Sequence, residues 1–147
     1  CSSMLSIAAI LMFAFTLSPI VSALGTGTYL SSIFEQFLIP ALLPVLVFIM
    51  SCLLSFATGT SMGTMAIMSV IALPMAMNLD MSIPLVASAV WGGSIFGDHA
   101  SPVSDTTIMS CATTGCNIID HVKTQAPYCI LFAACTVIFY LIAGFVV

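Results

Sequence analysis

Asp98, His99, Ser101, Ser104, Asp105, Thr106 and Thr107 fall within ten consecutive positions, in the stretch FGDHASPVSDTT at residues 96–107. Carboxylate and hydroxyl oxygens at this density are hard donors that suit a hard cation such as Na⁺. Burial favours the neutral form of a carboxylate and a bound cation favours its charged form, so such a group can hold a proton or a cation but not both well. His99 adds a group whose kind titrates near neutral pH. A serine, a histidine and an aspartate are also the inventory of a hydrolytic triad, with Ser101 or Ser104 as nucleophile, although close neighbours on one piece of chain rarely converge as a triad.

This polar stretch is set in apolar sequence. Of 147 residues, 61% are hydrophobic and 4% are charged, against about 25% charged in soluble domains. Such a chain cannot cover a water-facing surface, and reads as an integral membrane protein. The net charge is −4, with Lys123 as the one cationic side chain of its type. That excludes a basic nucleic-acid surface and an electrostatic anchor to anionic lipid, and leaves the positive-inside rule little to count. The six cysteines, Cys1, Cys52, Cys111, Cys116, Cys129 and Cys135, form no CxxC pair and lie mostly in apolar sequence. They read as small packing residues in preference to a metal or disulfide framework. A start at Cys1 without an initiator Met reads as a fragment of a longer protein.

The elements that must position the stretch follow from the lengths of the apolar runs, since a spanning helix takes roughly 20 such residues. Residues 4–24 meet that, with a kink at Pro19, and residues 29–37 read as an interfacial segment carrying Glu35. Residues 38–55 form a second run. It leads into FATGTSMGT at 56–64, where two glycines and four hydroxyl residues separate it from a second arm at 65–77. That arm, about 13 residues or roughly 20 Å of helix, is short for a crossing. Two apolar arms around a Gly/Thr/Ser tip suggest a re-entrant hairpin or the ends of interrupted helices. Such backbone is tolerated at membrane depth only when it is buried in protein or lines a wet cavity. The plainer alternative is GxxxG helix packing through Gly59 and Gly63.

Residues 83–96 are again short for a crossing. Asp98 and Asp105 are seven apart and would share a face of a continuous helix, but Pro102 removes an N–H and disfavours helix at Ser101. The helix is therefore expected to break and to resume at 106–114 under an N-cap from Ser104 or Asp105. An ordinary extramembrane loop before a capped helix would look similar. Residues 115–125, with Asp120, His121 and Lys123, read as a solvated linker, and 127–147 as the last spanning helix with Pro127 in its first turn. The fold class is all-α membrane, with spanning helices beside two interrupted elements. Paired short or Gly/Pro-broken segments of this kind point to a transporter's binding site.

The blocks FATGTSMGTMAIMSVIALPMA, GSIFGDHASPVSDTTIMS and DHVKTQAPY, in this order over residues 56–128, resemble the NhaC-type Na⁺/H⁺ antiporter family. Met62 stands where an aromatic is common in that family, and Ala100 where a Cys or Ser is common. The resemblance implies that residues 1–147 are the C-terminal transmembrane domain of a longer secondary transporter, not an enzyme. This domain would be one repeat of an inverted-repeat fold that pairs a re-entrant hairpin with a broken helix. By position, the hairpin tip would be Thr58, Gly59, Thr60, Ser61 and Thr64. The broken helix would supply Asp98, His99, Ser101, Ser104, Asp105, Thr106 and Thr107. Na⁺ is expected at Asp98 and Asp105, which with His99 are the proton-linked groups. No cofactor is expected beyond the transported Na⁺ and H⁺. The expected partners are the bilayer of a prokaryotic inner or plasma membrane, crossed several times, the N-terminal half of the transporter and a second copy in a homodimer. Organic-acid exchange of the malate-for-lactate type, an intramembrane hydrolase and a non-transporting scaffold stay open beside simple Na⁺/H⁺ exchange.

Overall fold

The computed structural model describes residues 40–146. The expected helix at 4–24, the interfacial segment with Glu35, and Cys1 lie outside the described residues. Among the described residues the fold is all-helical. A 3-10 turn, Pro40–Leu42, leads into α1 (Leu43–Thr58), followed by α2 (Ser61–Asn78), α3 (Ile83–Ala100), α4 (Asp105–Thr114) and α5 (Ile118–Val146).

Two residues reverse the chain between α1 and α2. Gly59 closes α1 in the left-handed region, φ 66°, where its N–H reaches the Ser55 carbonyl at 2.8 Å, a conformation that glycine adopts without Cβ strain. Thr60 is extended and caps α2, its side chain accepting from the Gly63 N–H at 3.4 Å. Because Thr60 starts the helix this early, the second arm is 18 residues and not the shorter one expected from its apolar run. It carries Pro74 within it and is, with α5, one of two described helices long and apolar enough to cross a membrane.

α1 and α3 approach closely through small residues. A Cβ on Gly93 would lie 2.8 Å from the Ser51 Cβ, and one on Gly97 would lie 2.6 Å from the Ser55 Cβ. The Ser55 hydroxyl donates to the Ser94 carbonyl across the same seam. Small residues four apart let helix backbones meet in this way. The GxxxG pattern therefore belongs to Gly93 and Gly97. Gly59 and Gly63 cannot share a helix face, because Gly59 ends one helix and Gly63 lies in the next.

The apolar core joins Leu43, Val47 and Phe48 of α1 with Met68, Ala72 and Met75 of α2 and with Val86, Ala89 and Val90 of α3. α5 leans on it through Ala133, Val137 and Tyr140. Its outer face is bare: Phe132, Phe139 and Phe145 are all about 70% exposed. An apolar surface of this extent suits lipid or further protein. α5 runs unbroken from Ile118 through Pro127, so the linker expected at 115–125 shrinks to residues 115–117. Asn117 accounts for this, since its Oδ1 accepts the Ile119 N–H at 2.9 Å and caps the helix. Asp120, His121 and Lys123 consequently lie on its first turns.

Candidate functional site

The break falls where the proline places it. α3 continues past residue 96 to Ala100, so that Asp98 and His99 occupy its last turn, and Ser101 to Ser104 then run non-helical around Pro102. Ser104 is the N-cap of α4, its hydroxyl oxygen accepting from the Thr106 and Thr107 N–H groups at 3.2 and 3.4 Å. α4 begins at Asp105, one residue ahead of the expected restart. The side chain of Asp105 lies outside the described atoms.

Asp98 is 3% exposed, and its two carboxylate oxygens each take a hydroxyl. Ser104 donates to Oδ1 at 2.7 Å and Thr106 to Oδ2 at 3.1 Å. The two hydroxyl oxygens are themselves 2.7 Å apart. One turn of chain thus gathers four oxygens, from the end of α3 and the start of α4. Ser104 is fully buried and Thr106 is exposed, which leaves the cluster open on one side. Thr107 is buried beside it.

The hairpin tip meets this break. A Cβ on Gly59 would lie 2.8 Å from the Val103 carbonyl oxygen and 3.2 Å from the Ser104 nitrogen. The Ser101 hydroxyl donates to the Phe56 carbonyl at 2.8 Å. The hydroxyls of the tip, however, are engaged among themselves. Thr58 and Thr64 pair at 3.3 Å, and Thr64 also donates to the Thr60 carbonyl at 2.9 Å. Thr60 caps α2 and Ser61 opens it. Of the expected site residues, Asp98, Ser104 and Thr106 touch directly, and Gly59 and Ser101 join tip to break.

His99 stands apart from the carboxylate cluster. It is exposed, its Nδ1 pairs with the Ile95 carbonyl at 2.9 Å, and it lines a cavity of about 340 Å³ between α3 and α5 with Phe96, Gln125 and Tyr128. Neither serine hydroxyl meets this imidazole, so the triad reading has no assembled nucleophile and base. The contacts that sequence reasoning missed are main-chain ones, the carbonyls of Phe56, Ser94 and Val103. Residue types carry no signal for these, although the spacings of Ser51 with Ser55 and Gly93 with Gly97 could have revealed the seam that aligns them.

The Na⁺/H⁺ antiporter family model matches residues 1–145. The chain belongs to the Na⁺/H⁺ antiporter family. Within and around this family of membrane proteins, it is 46% identical to an uncharacterised protein of Haemophilus influenzae over 97% of the chain and 28% of that relative. It is 30% identical to the malate-2H⁺/Na⁺-lactate antiporter of Bacillus subtilis, over 75% of the chain and 24% of the relative. It is 31% identical to the Na⁺/H⁺ antiporter NhaC of Alkalihalophilus pseudofirmus, over 63% of the chain and 20% of the relative. The chain thus spans about a quarter of the length of the curated relatives it matches. No solved structure matches it.

Proposed function

We propose that this chain is part of a secondary active transporter that exchanges Na⁺ for H⁺, with Asp98 as the group the two ions share. The observation that carries the reading is the buried Asp98 carboxylate, fronted by the Ser104 and Thr106 hydroxyls at a helix break. When Asp98 is charged, its oxygens and those hydroxyls form the hard-oxygen shell that Na⁺ prefers. When Asp98 is protonated, it becomes a donor and the shell loses its charge. Occupancy by one ion therefore excludes the other, which is the requirement for exchange. Asp105 is the second carboxylate of the shell in this proposal, Ser101 and Thr107 support it, and His99 senses protonation without ligating. α1 and α2 act as the re-entrant hairpin, with Thr58, Thr60, Ser61 and Thr64 reaching the ion once the second half of the transporter closes the site.

The test is Na⁺-dependent proton flux in proteoliposomes carrying the full-length transporter. Asp98→Asn and Asp105→Asn should each abolish it, and wild-type exchange in both would sink the assignment. A second reading, organic-acid exchange, draws on the likeness to the malate/lactate antiporter. The chain offers no arginine for a carboxylate, so an organic anion would bind at the N-termini of α2 and α4 or on residues beyond this chain. Uptake of labelled malate that depends on the same two aspartates would favour it.

A further inference from the structure

A second cluster lies at the other end of α4, outside the carboxylate site. Cys111 in the last turns of α4, Cys116 in the turn, and His121 in the first turns of α5 each offer a ligand atom, and these atoms all lie within 4.8 Å of one another. Their positions follow a C-x₄-C-x₄-H spacing. Gly115 makes the arrangement reachable, because at φ 71° it ends α4 in the left-handed region and turns the chain back. The Asn117 cap then starts α5 with His121 one turn in. Cys111 is buried, His121 half-buried and Cys116 exposed, so the cluster is anchored on the protein side and open on the other.

We propose that Cys111, Cys116 and His121 form a binding site for a borderline-soft transition-metal ion of the Zn²⁺ class, which pins the end of α4 to the start of α5. Two thiolates and one imidazole are the donors such an ion selects, and they are poor donors for Na⁺. With Zn–S near 2.3 Å and Zn–N near 2.1 Å, tetrahedral ligand atoms lie about 3.4–3.8 Å apart. Side-chain rotation need close the present separations by no more than about 1.4 Å. The Thr114 hydroxyl, which donates to the Ser110 carbonyl at 2.7 Å, also lies 3.2 Å from the Cys116 Sγ, an outer contact of the kind that would orient a metal-bound thiolate. Asp120, next to His121 in the first turn of α5, adds a negative charge at this end of the helix. Three protein ligands leave the fourth position to water. A Cys111–Cys116 disulfide is the competing use of the same thiols, but it would leave His121 without a role.

The experiment uses the reduced, tag-free, full-length protein in detergent, titrated with Co²⁺ and back-titrated with Zn²⁺. Thiolate-to-cobalt charge-transfer absorption should appear at one equivalent and vanish as Zn²⁺ displaces Co²⁺. Cys111→Ser, Cys116→Ser and His121→Asn should each weaken binding by at least about tenfold, the scale on which even outer-shell losses register. Cys135→Ser, outside the cluster, should leave the titration unchanged. No charge-transfer band, or a band that survives Cys116→Ser, overturns the proposal. So does protein purified without reductant that carries a Cys111–Cys116 bridge and takes up no metal once reduced. None of these readouts depends on transport.

Discussion

Replacing Asp98 by Asn removes one charge while nearly preserving shape. The Asn amide oxygen can still accept from Ser104, and its NH₂ meets Thr106, whose hydroxyl can rotate to accept. The loss to folding is the charge assistance of two hydrogen bonds at 2.7 and 3.1 Å, offset by the relief of no longer burying a charge, and should stay within about 2 kcal/mol. On the proposed function, the loss to cation binding should be larger. A Na⁺ held by these oxygens sits at most about 4 Å from the carboxylate charge, and at an effective dielectric near 20 that pair is worth about 4 kcal/mol. Each 1.4 kcal/mol is a factor of ten, so Na⁺ affinity should fall roughly a thousandfold. Na⁺ titration of the detergent-solubilised protein and Na⁺-driven proton flux in proteoliposomes read this directly. Asp80→Asn is the control, because Asp80 is exposed in the α2–α3 turn. A variant that keeps its Na⁺ affinity within threefold would refute the reasoning. A variant that gains stability and loses no function would favour a scaffold.

Gly59→Ala and Gly115→Ala should separate backbone strain from contact. Both glycines have positive φ, but a Cβ at Gly59 meets the Val103 carbonyl and one at Gly115 meets nothing within 4 Å. Thermal unfolding in detergent should show about 1–2 kcal/mol lost at Gly115 from the left-handed conformation alone, and roughly 1–3 kcal/mol more at Gly59 from the clash; equal losses would mean that the tip does not press on the break. Ser104→Ala deletes both the α4 cap and one Asp98 partner, and should lower Na⁺ affinity by about 1–3 kcal/mol, with a helix-stability cost of about 1 kcal/mol visible by circular dichroism. Gly97→Leu should force α1 and α3 apart at the Ser55 seam and destabilise the fold by several kcal/mol, whereas Leu at the exposed Thr113 should be tolerated, as unfolding midpoints would show.

The chain announces its break more clearly than its helix lengths. Pro102 and the Ser104 cap are local rules of backbone and side-chain chemistry, so the end of α3 and the start of α4 can be read from a dozen residues. The length of α2 cannot, because Ser61, Gly63 and Thr64 look like loop by composition and become helix only once Thr60 caps it. The same error lengthened the α4–α5 linker, where Asn117 claims Asp120 and His121 for α5. Asp98 was legible as a costly carboxylate, whereas its partners depend on how the chain turns at Pro102. His99 shows the limit of adjacency: next to Asp98 in sequence, it faces α5, since neighbouring helical positions point about 100° apart. The meeting of two cysteines with a histidine was hidden for a related reason. Without CxxC, their meeting with a histidine depends on the turn at Gly115, which sequence spacing does not draw.

Four helix ends come together where Gly59 presses on Val103, and their polarity bears on why the carboxylate is Asp98. α1 and α3 bring C-termini to this point, while α2 and α4 bring N-termini. A negative charge in the last turn of α3 is opposed by that helix's own dipole, by about 0.3–1 kcal/mol, and an anion at the start of α4 is favoured by a similar amount. Asp98 belongs to the first and bonds to the Ser104 and Thr106 hydroxyls at the second, so the two effects nearly cancel. What remains, among the described residues, is a carboxylate held mainly by two neutral hydroxyls, in a chain whose single lysine, Lys123, is exposed on α5. A resident arginine or lysine would fix the charge of Asp98 and make it useless for exchange. On the proposed function, neutral partners would leave the charge to be balanced by whichever cation arrives, and substituting Lys for Thr106 should therefore lock the site and abolish exchange in proteoliposomes of the full-length protein while it still folds. Exchange that persists in Thr106→Lys would show that the ion is balanced elsewhere.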